Sequence, residues 1–224
     1  MSTDDPSKDG PSRGEPSRER PEADETSASG PARKDSASDV TSLAGQLLVA
    51  MPDLSDPRFA RAVVYLCAHG EDGAMGIIVN KPTPEIRFAD LLRQLGIEPA
   101  VGMGDIRVHF GGPVEPQRGF VLHSADYESD EATLTVDDDV AMSATTDVLR
   151  DIASGQGPAQ SMMALGYAGW GAGQLEEELA RNDWLTVPAR GDILFGRAAE
   201  HKWGAALKQN GIDPASLSST SGRA

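Results

Sequence analysis

Residues 165–185, with the sequence LGYAGWGAGQLEEELARNDWL, change from a strand pattern to a helical pattern and back within a short stretch. Four glycines interrupt the apolar run, and they are Gly166, Gly169, Gly171 and Gly173. Because glycine accepts tight or left-handed backbone that other residues resist, these positions predict a forced turn from strand to helix. Residues 174–181 form the predicted helix, and residues 184–187 form a second strand that Pro188 ends.

Side-chain spacing supports the helix in this stretch. Leu175 and Leu179 lie on one face at i, i+4, and Glu177 precedes Arg181 at the spacing that favours an ion pair. Asn182 follows, and asparagine is one of the residues that tolerate the left-handed backbone at a helix end. The sequence therefore predicts a helix of one or two turns that stops at Asn182.

A glycine turn before a helix is also typical of phosphate-binding loops, because the free amides of a helix N-terminus attract anions. This stretch lacks a Lys-Ser/Thr pair after the glycines, and its glycine spacing fits neither common nucleotide motif. Three carboxylates in the first turn, Glu176, Glu177 and Glu178, would repel a phosphate. We therefore interpret the glycines as a structural turn.

The charge balance narrows the choice of partners. The chain of 224 residues has 35 acidic and 20 basic residues, which gives a formal net charge of −15. Nucleic acids and anionic membranes are bound by clustered Lys and Arg, so we expect neither as a direct partner. The one cysteine rules out an intramolecular disulfide and fits a reducing compartment, and the first residues carry no apolar signal-peptide core, so we expect a cytoplasmic location.

The first 39 residues differ in composition from the rest. They are rich in Ser, Pro and charge, contain a repeated Pro-Ser-Lys/Arg motif, and have no bulky aliphatic or aromatic residue between Met1 and Val40. Such a segment cannot bury a core. We therefore predict a disordered tail over 1–39, a globular domain over 40–217 and a flexible C-terminus over 218–224.

Apolar runs and turn residues give the remaining elements. Strands are predicted at 46–51, 62–68, 74–80, 106–110, 119–124 and 132–136, with a hairpin loop at 69–73 and a strand end at Pro82 and Pro84. Helices are predicted at 86–95, at 137–154 and around Ala199 to Leu207. Because hairpins and helices alternate without regular βαβ units, the fold class is α+β.

Four motifs in order carry a family resemblance. They are GQLLVAMP at 45–52, GAMGIIVNKP at 73–82, FGGPV at 110–114 with RGFVLH at 118–123, and GYAGW at 166–170 with GQLE at 173–176. Together they resemble the YqgE/AlgH family of bacterial proteins over residues 43–217. The resemblance implies a bifurcated, mostly antiparallel sheet curled into a pseudo-barrel with flanking helices. It implies no known reaction, cofactor or catalytic residue, and one namesake is described as a regulator of alginate synthesis.

Few residues have the pattern of a catalytic or metal site. Cys67 and His69 lie two apart on a predicted strand and would share a face, but a lone cysteine in an apolar strand is usually core. His123, Ser124 and Asp126 are sequence neighbours without a nucleophile elbow. His109 and His201 fit no metal-ligand spacing. We therefore predict no catalytic residue, metal or cofactor.

Six polar or aromatic residues near the turns form a candidate ligand or partner surface, and they are Asn80, Lys81, Arg118, Tyr167, Trp170 and Gln174. Turn capping is the alternative for Asn80, Lys81 and Arg118. For Trp170, flanked by two glycines, we favour burial, and display to a partner is the alternative.

These observations favour a cytosolic binding or regulatory protein that acts through a protein or small-molecule partner, with any effect on transcription being indirect. The alternative is a hydrolase or transferase that uses the glycine-turn surface. A deep pocket in which Arg118 and a histidine converge would favour the enzyme.

Overall fold

The computed structural model describes residues 42–101, 103–104, 106–128 and 133–217. The predicted tail over 1–39 and the predicted C-terminus over 218–224 lie outside the described residues. None of the helices in the described part of the chain is long and apolar enough to cross a membrane.

The strands in the described residues are β1 (Gln46–Ala50), β2 (Val63–Gly70), β3 (Gly73–Ile78), β4 (Pro82–Arg87), β5 (Arg107–Phe110), β6 (Val114–Ser124), β7 (Thr133–Thr135), β8 (Val140–Ser143), β9 (Ser161–Gly171) and β10 (Trp184–Pro188). The helices are α1 (Phe88–Gln94), α2 (Thr146–Ser154), α3 (Gln174–Ala180), α4 (Gly191–Leu194) and α5 (Ala199–Gln209). Short 3-10 turns occur at Pro57–Phe59 and Pro214–Leu217.

The sheet is mostly antiparallel and branches at β9. Its main order is β10-β1-β2-β3-β9-β6-β8-β7, and β5 adds to β9 as a parallel neighbour that also pairs with β4. The second half of β9 pairs with β3, whereas its first half pairs with β6 and β5. The sheet curls into a half-barrel with flanking helices, so the predicted α+β fold with a bifurcated sheet is confirmed.

Glycines allow the branch because three backbones meet there. A Cβ on Gly112 would lie 2.0 Å from the carbonyl carbon of Tyr167, and a Cβ on Gly111 would lie 2.2 Å from the carbonyl oxygen of Gly166. Gly166 itself has a φ of +73°, in the left-handed region that favours glycine. The FGGP and GYAGW motifs are therefore two sides of one close backbone contact.

The core consists of three clusters around the sheet. The predicted central strand β2 is buried on both faces: Tyr65 packs in the largest cluster, under α4 and α5, and Leu66 packs in a second cluster, under α3. A third cluster joins α1 and α2 to the β5 end of the sheet. A strand covered on both faces reads as a continuous apolar run, as this one does.

Two local predictions are wrong, and one strand was not predicted. The strand before Pro82 ends as predicted, but β4 follows it and pairs with β5 as an edge strand, where proline is tolerated. Residues 137–139 do not begin a helix, because Asp137 accepts the backbone N–H groups of Asp139 and Val140 in the turn before β8. Arg181 pairs with Asp183, not with Glu177.

The end of α3 follows the prediction. Asn182 has a φ of 62° and is the left-handed stop between α3 and β10. On the face of α3 that meets the sheet, Leu175 is buried and Leu179 packs beside it.

Candidate functional site

The strand-to-helix junction buries Trp170. Its side chain is 7% exposed, and its indole Nε1 donates to Glu178 Oε2 at 2.8 Å. Trp184 Nε1 donates to the same carboxylate oxygen at 2.7 Å, and the two rings meet edge-to-face at 5.8 Å. The predicted burial of Trp170 is confirmed, and Glu178, which the sequence did not single out, is the acceptor that makes it favourable.

Gln174 is used in the same arrangement. Its Oε1 accepts the backbone N–H of Gly171 at 3.0 Å, and its Nε2 donates to Glu178 Oε1 at 2.8 Å. The polar groups at the start of α3 therefore hold the glycine turn in place. This arrangement serves the fold, and it leaves those groups occupied.

Cys67 and His69 do not share a face. A β-bulge between Leu66 and Ala68 shifts the pairing of β2 with β3 and so breaks the alternation of side chains. Cys67 packs in the largest core cluster, where burial raises the pKa of its thiol to about 12. His69 instead accepts the backbone N–H of Leu43 through Nδ1 and donates through Nε2 to Glu176 at 2.7 Å. The same-face prediction for this pair is wrong.

Ser124 and His123 do not form a catalytic pair. The Ser124 hydroxyl donates to Asp126, and His123 donates through Nδ1 to the carbonyl oxygen of Ser124 while its Nε2 accepts from Ser143 Oγ. Burial lowers the pKa of His123, so the ring is a neutral link within the core. No group of three or more His, Cys, Asp or Glu residues in the described part of the chain could hold a metal ion.

Asn80 and Lys81 fasten a turn. Asn80 Oδ1 accepts the backbone N–H of Val63 at 2.8 Å, and its Nδ2 donates to the carbonyl oxygen of Arg61 at 2.8 Å. Lys81 Nζ donates to the carbonyl oxygen of Arg58 at 2.7 Å, and burial lowers its pKa. Both side chains tie the connector between β1 and β2 to the end of β3.

Arg118 and Tyr167 both contact the ring of Phe120. The Arg118 guanidinium is 5.2 Å from the centre of the Phe120 ring and pairs with Glu115 at 3.0 Å. Tyr167 meets Phe120 edge-to-face at 5.7 Å. The six predicted surface residues therefore occupy three local arrangements, around the β1–β2 connector, Phe120 and Glu178.

A cleft of about 620 Å³ lies elsewhere, and none of those six residues lines it. Its described walls come from three parts of the chain that are far apart in sequence: seven residues between Ala100 and His109, the end of α2 with the following loop to Met162, and residues 195–197 with Lys202 of α5. The parallel pairing of β5 with β9 brings the first two segments together. We refer to this space as the cleft.

Three basic side chains line the cleft beside His109, and we call Arg107, Arg197 and Lys202 the cationic cluster. Lys202 is 4% exposed, and its Nζ donates to the carbonyl oxygens of Val79 at 3.0 Å and Leu194 at 2.7 Å. Arg107 Nη1 donates to the carbonyl oxygen of Arg197 at 2.5 Å. Backbone carbonyl oxygens therefore hold the side chains of Lys202 and Arg107.

Burial lowers the pKa of two groups that line the cleft, Lys202 and His109. Desolvation, and then the charge of Arg107, lowers the pKa of Lys202 to about 8. Desolvation, and then the charge of Lys202, lowers the pKa of His109 to about 4. At neutral pH the ammonium of Lys202 is therefore charged and the imidazole of His109 is neutral.

Sequence reasoning missed the cationic cluster because its members form no motif. Arg107 and Arg197 are 90 positions apart, and Lys202 bonds to a carbonyl 123 positions away. One signal was present: Lys202 follows Ala199 by three positions and precedes Ala206 by four, so it falls on the apolar face of the predicted helix. A lysine on the buried face of a helix requires a compensating environment.

Comparisons with known proteins agree on one family. A family model described as AlgH-like matches residues 47–215. A UPF0301 protein of Paracoccus denitrificans is 54% identical over 186 residues, which cover 82% of this chain and 98% of that protein. A UPF0301 protein of Rhodospirillum rubrum is 56% identical over 182 residues, covering 81% of this chain and 94% of that protein.

Two solved structures are similar. The solution structure of the AlgH protein from Pseudomonas aeruginosa has a TM-score of 0.68 at 43% identity and covers 84% of this chain and all of its own. A crystal structure of a Corynebacterium diphtheriae protein has a TM-score of 0.61 at 19% identity, covers 77% of this chain and 88% of its own, and shows a shared fold.

Proposed function

The chain belongs to the AlgH-like family, and we propose that it is a non-catalytic binding module whose small-molecule partner occupies the cleft. One observation carries the proposal: three distant parts of the chain converge on a concave site of about 620 Å³, within the range of roughly 300 to 1,000 Å³ that is typical of ligand pockets. The lining combines apolar residues such as Ile106, Ile152 and Phe195 with polar and charged groups.

The lining supports binding rather than catalysis. Among the described residues, no cysteine, aspartate or glutamate lines the cleft. The Ser154 hydroxyl donates to the carbonyl oxygen of Asp151, and His109 Nδ1 bonds to the carbonyl oxygen of Arg107. A nucleophile with a base in reach is therefore not formed by these groups. Arg118, which would have marked an enzyme pocket, pairs with Glu115 outside the cleft.

The glycine-turn surface offers less to a ligand than the cleft. Trp170 is buried, and Gln174 and Glu178 are bonded to each other and to the turn. We therefore place the partner in the cleft and propose that the protein acts in the cytoplasm as a regulator through this partner. Direct binding to nucleic acid or membrane is not part of the proposal, since the net charge of −15 opposes both.

An NMR fragment screen on isotope-labelled protein tests the proposal, with neutral, anionic and cationic fragments in the set. We expect shifts that cluster on residues lining the cleft. Ala159, which is exposed and lines the cleft, is changed to Trp to fill it, and exposed Ala172 in the glycine turn is changed to Trp as the matched control.

Binding that is lost in A159W and kept in A172W supports the cleft as the site. Loss of binding in A172W alone would move the site to the glycine turn and favour the alternative. A screen in which no fragment shifts the cleft residues would refute the proposed small-molecule role.

A further inference from the structure

We infer that the partner is a small organic anion, a carboxylate or a phosphate ester, whose charged group lies among the cationic cluster and whose apolar part packs on the cleft wall. This inference rests on the proposed function and names the class of its ligand. It is carried by the way Arg107 and Arg197 differ from most of the other arginines in the described residues.

Arginines elsewhere in the described residues have carboxylate partners. Seven of them lie within 4.0 Å of an aspartate or glutamate oxygen, and they are Arg58, Arg87, Arg93, Arg118, Arg150, Arg181 and Arg190. Arg61 lies over the ring of Trp203 at 5.4 Å. Neither Arg107 nor Arg197 forms an ion pair with a described residue, although acidic residues outnumber basic ones 35 to 20 in this chain.

Carboxylates are absent from the described lining of the cleft. Its described lining contains three cations and no Asp or Glu, whereas the chain as a whole is strongly negative. Like charges gathered in a concave site with apolar walls focus the field and raise the local concentration of ions of the opposite sign. An anion that enters the cleft would supply negative charge, which the described lining does not contain.

The buried ammonium group of Lys202 also favours an anionic ligand. It is 4% exposed, and its ammonium group is bonded to two carbonyl oxygens. An ammonium has three N–H donors, so one remains for a ligand. A buried charge with neutral partners alone is costly, and a ligand anion would offset that cost.

Apolar residues in the cleft lining favour an organic anion over an inorganic one. Met103, Ile106, Ile152, Met162 and Phe195 line the cleft beside the cationic cluster. The site is also too large for a single phosphate or sulfate ion to fill, because its volume of about 620 Å³ is that of a small-molecule pocket. An anion with an aromatic or aliphatic body matches both the charge and the walls.

Four matched probes test the inference on the full chain: phenyl phosphate, benzoate, neutral benzyl alcohol and cationic benzylamine. We expect the two anions to shift the cleft resonances and to bind about tenfold or more tightly than benzyl alcohol, with no cleft shifts from benzylamine. Raising the salt concentration from about 50 to about 500 mM should weaken the binding of the two anions and leave the affinity for benzyl alcohol unchanged. Inorganic phosphate should bind more weakly than phenyl phosphate.

Two variants locate the charged group. Arg197→Gln removes a cleft cation whose side chain has no bonded partner among the described residues, so the fold is expected to persist, and Arg107→Gln removes the second. Each variant should bind phenyl phosphate with about tenfold lower affinity. Arg181→Gln, which removes an exposed arginine paired with Asp183 outside the cleft, should not change the affinity.

The outcomes separate this inference from the proposed function. Equal affinity for phenyl phosphate and benzyl alcohol, or unchanged anion affinity in both cleft variants, overturns the anion inference while the small-molecule site stands. Absence of cleft shifts from both anions also overturns it, and the fragment screen then decides the proposed function independently. Equal binding of inorganic phosphate and phenyl phosphate refutes the role of the apolar wall.

Discussion

Replacing Glu178 by alanine should destabilise the protein, because its carboxylate is a shared acceptor for two buried indoles. One oxygen of this carboxylate, Oε2, accepts both the Trp170 and the Trp184 indole N–H groups, at 2.8 and 2.7 Å. Both indoles are buried, so the variant leaves two donors without an acceptor inside the second core cluster. The effect is local because the rest of α3 is mostly exposed.

The magnitude follows from those two bonds. A hydrogen bond to a charged group contributes about 1.5 to 3 kcal/mol, and an unsatisfied buried donor costs about 1 to 3 kcal/mol. Two hydrogen bonds to the charged carboxylate therefore contribute about 3 to 6 kcal/mol. We reduce this to about 2 to 4 kcal/mol because Glu178 is only half-buried and water can replace part of the contact. Glu178→Gln keeps an acceptor oxygen and should cost about 1 kcal/mol.

Urea unfolding followed by tryptophan fluorescence measures these values. Glu177→Ala, on the same helix and exposed, is the matched control and should stay within about 0.5 kcal/mol of the parent. A double-mutant cycle with Trp170→Phe, which removes one indole donor, should show a coupling energy of about 1 kcal/mol or more. If Glu178→Ala were no more destabilising than Glu177→Ala, the shared carboxylate would not stabilise the junction.

Four further outcomes are expected. Trp170→Ala should lower the free energy of unfolding by about 3 to 5 kcal/mol, and a urea melt equal to that of the parent would contradict its burial. Cys67 should resist thiol reagents until the protein unfolds, because burial raises its pKa to about 12, and Cys67→Ser should cost about 1 to 3 kcal/mol; rapid labelling of the native state would contradict this. The pKa of His109 is about 4 in the folded protein and 6.5 in the unfolded chain, so the unfolded chain binds the proton first as the pH falls. The free energy of unfolding should therefore fall by about 3 kcal/mol between pH 6.5 and pH 4. His109→Gln should flatten this pH dependence. Anion binding in the cleft should weaken as the pH rises through about 8, because Lys202 loses its charge there. Arg107 and Arg197 stay charged in this range, and His109 is already neutral. An anion affinity that does not change across this range would exclude Lys202 from the site.

The local elements of this fold could be predicted from the sequence. The strand, turn and helix of residues 165–185, the hairpin before Gly73 and the stop at Asn182 were all found in the predicted places. Each depends on neighbours within about one or two turns of chain, such as the i, i+4 spacing of apolar residues or the tolerance of a residue for left-handed backbone.

Errors arose where a distant contact decides the outcome. Cys67 and His69 lie on opposite faces because a bulge in the pairing of β2 with β3 adds one residue, and the spacing of the two residues does not reveal it. Asp137 belongs to a turn whose carboxylate also accepts the hydroxyl of Tyr65, 72 positions earlier. An aspartate before an apolar run has the same sequence pattern in such a turn and at the start of a helix.

The candidate site was decided by tertiary structure alone. Nothing near Arg107 in the chain indicates Arg197 or Lys202, and the six residues predicted as a partner surface lie in three separate places. Pairing of β5 with β9 and packing of α5 bring the cationic cluster into one cleft. Electrostatic attraction depends on distance in space and on burial, and neither quantity is a function of spacing along the chain.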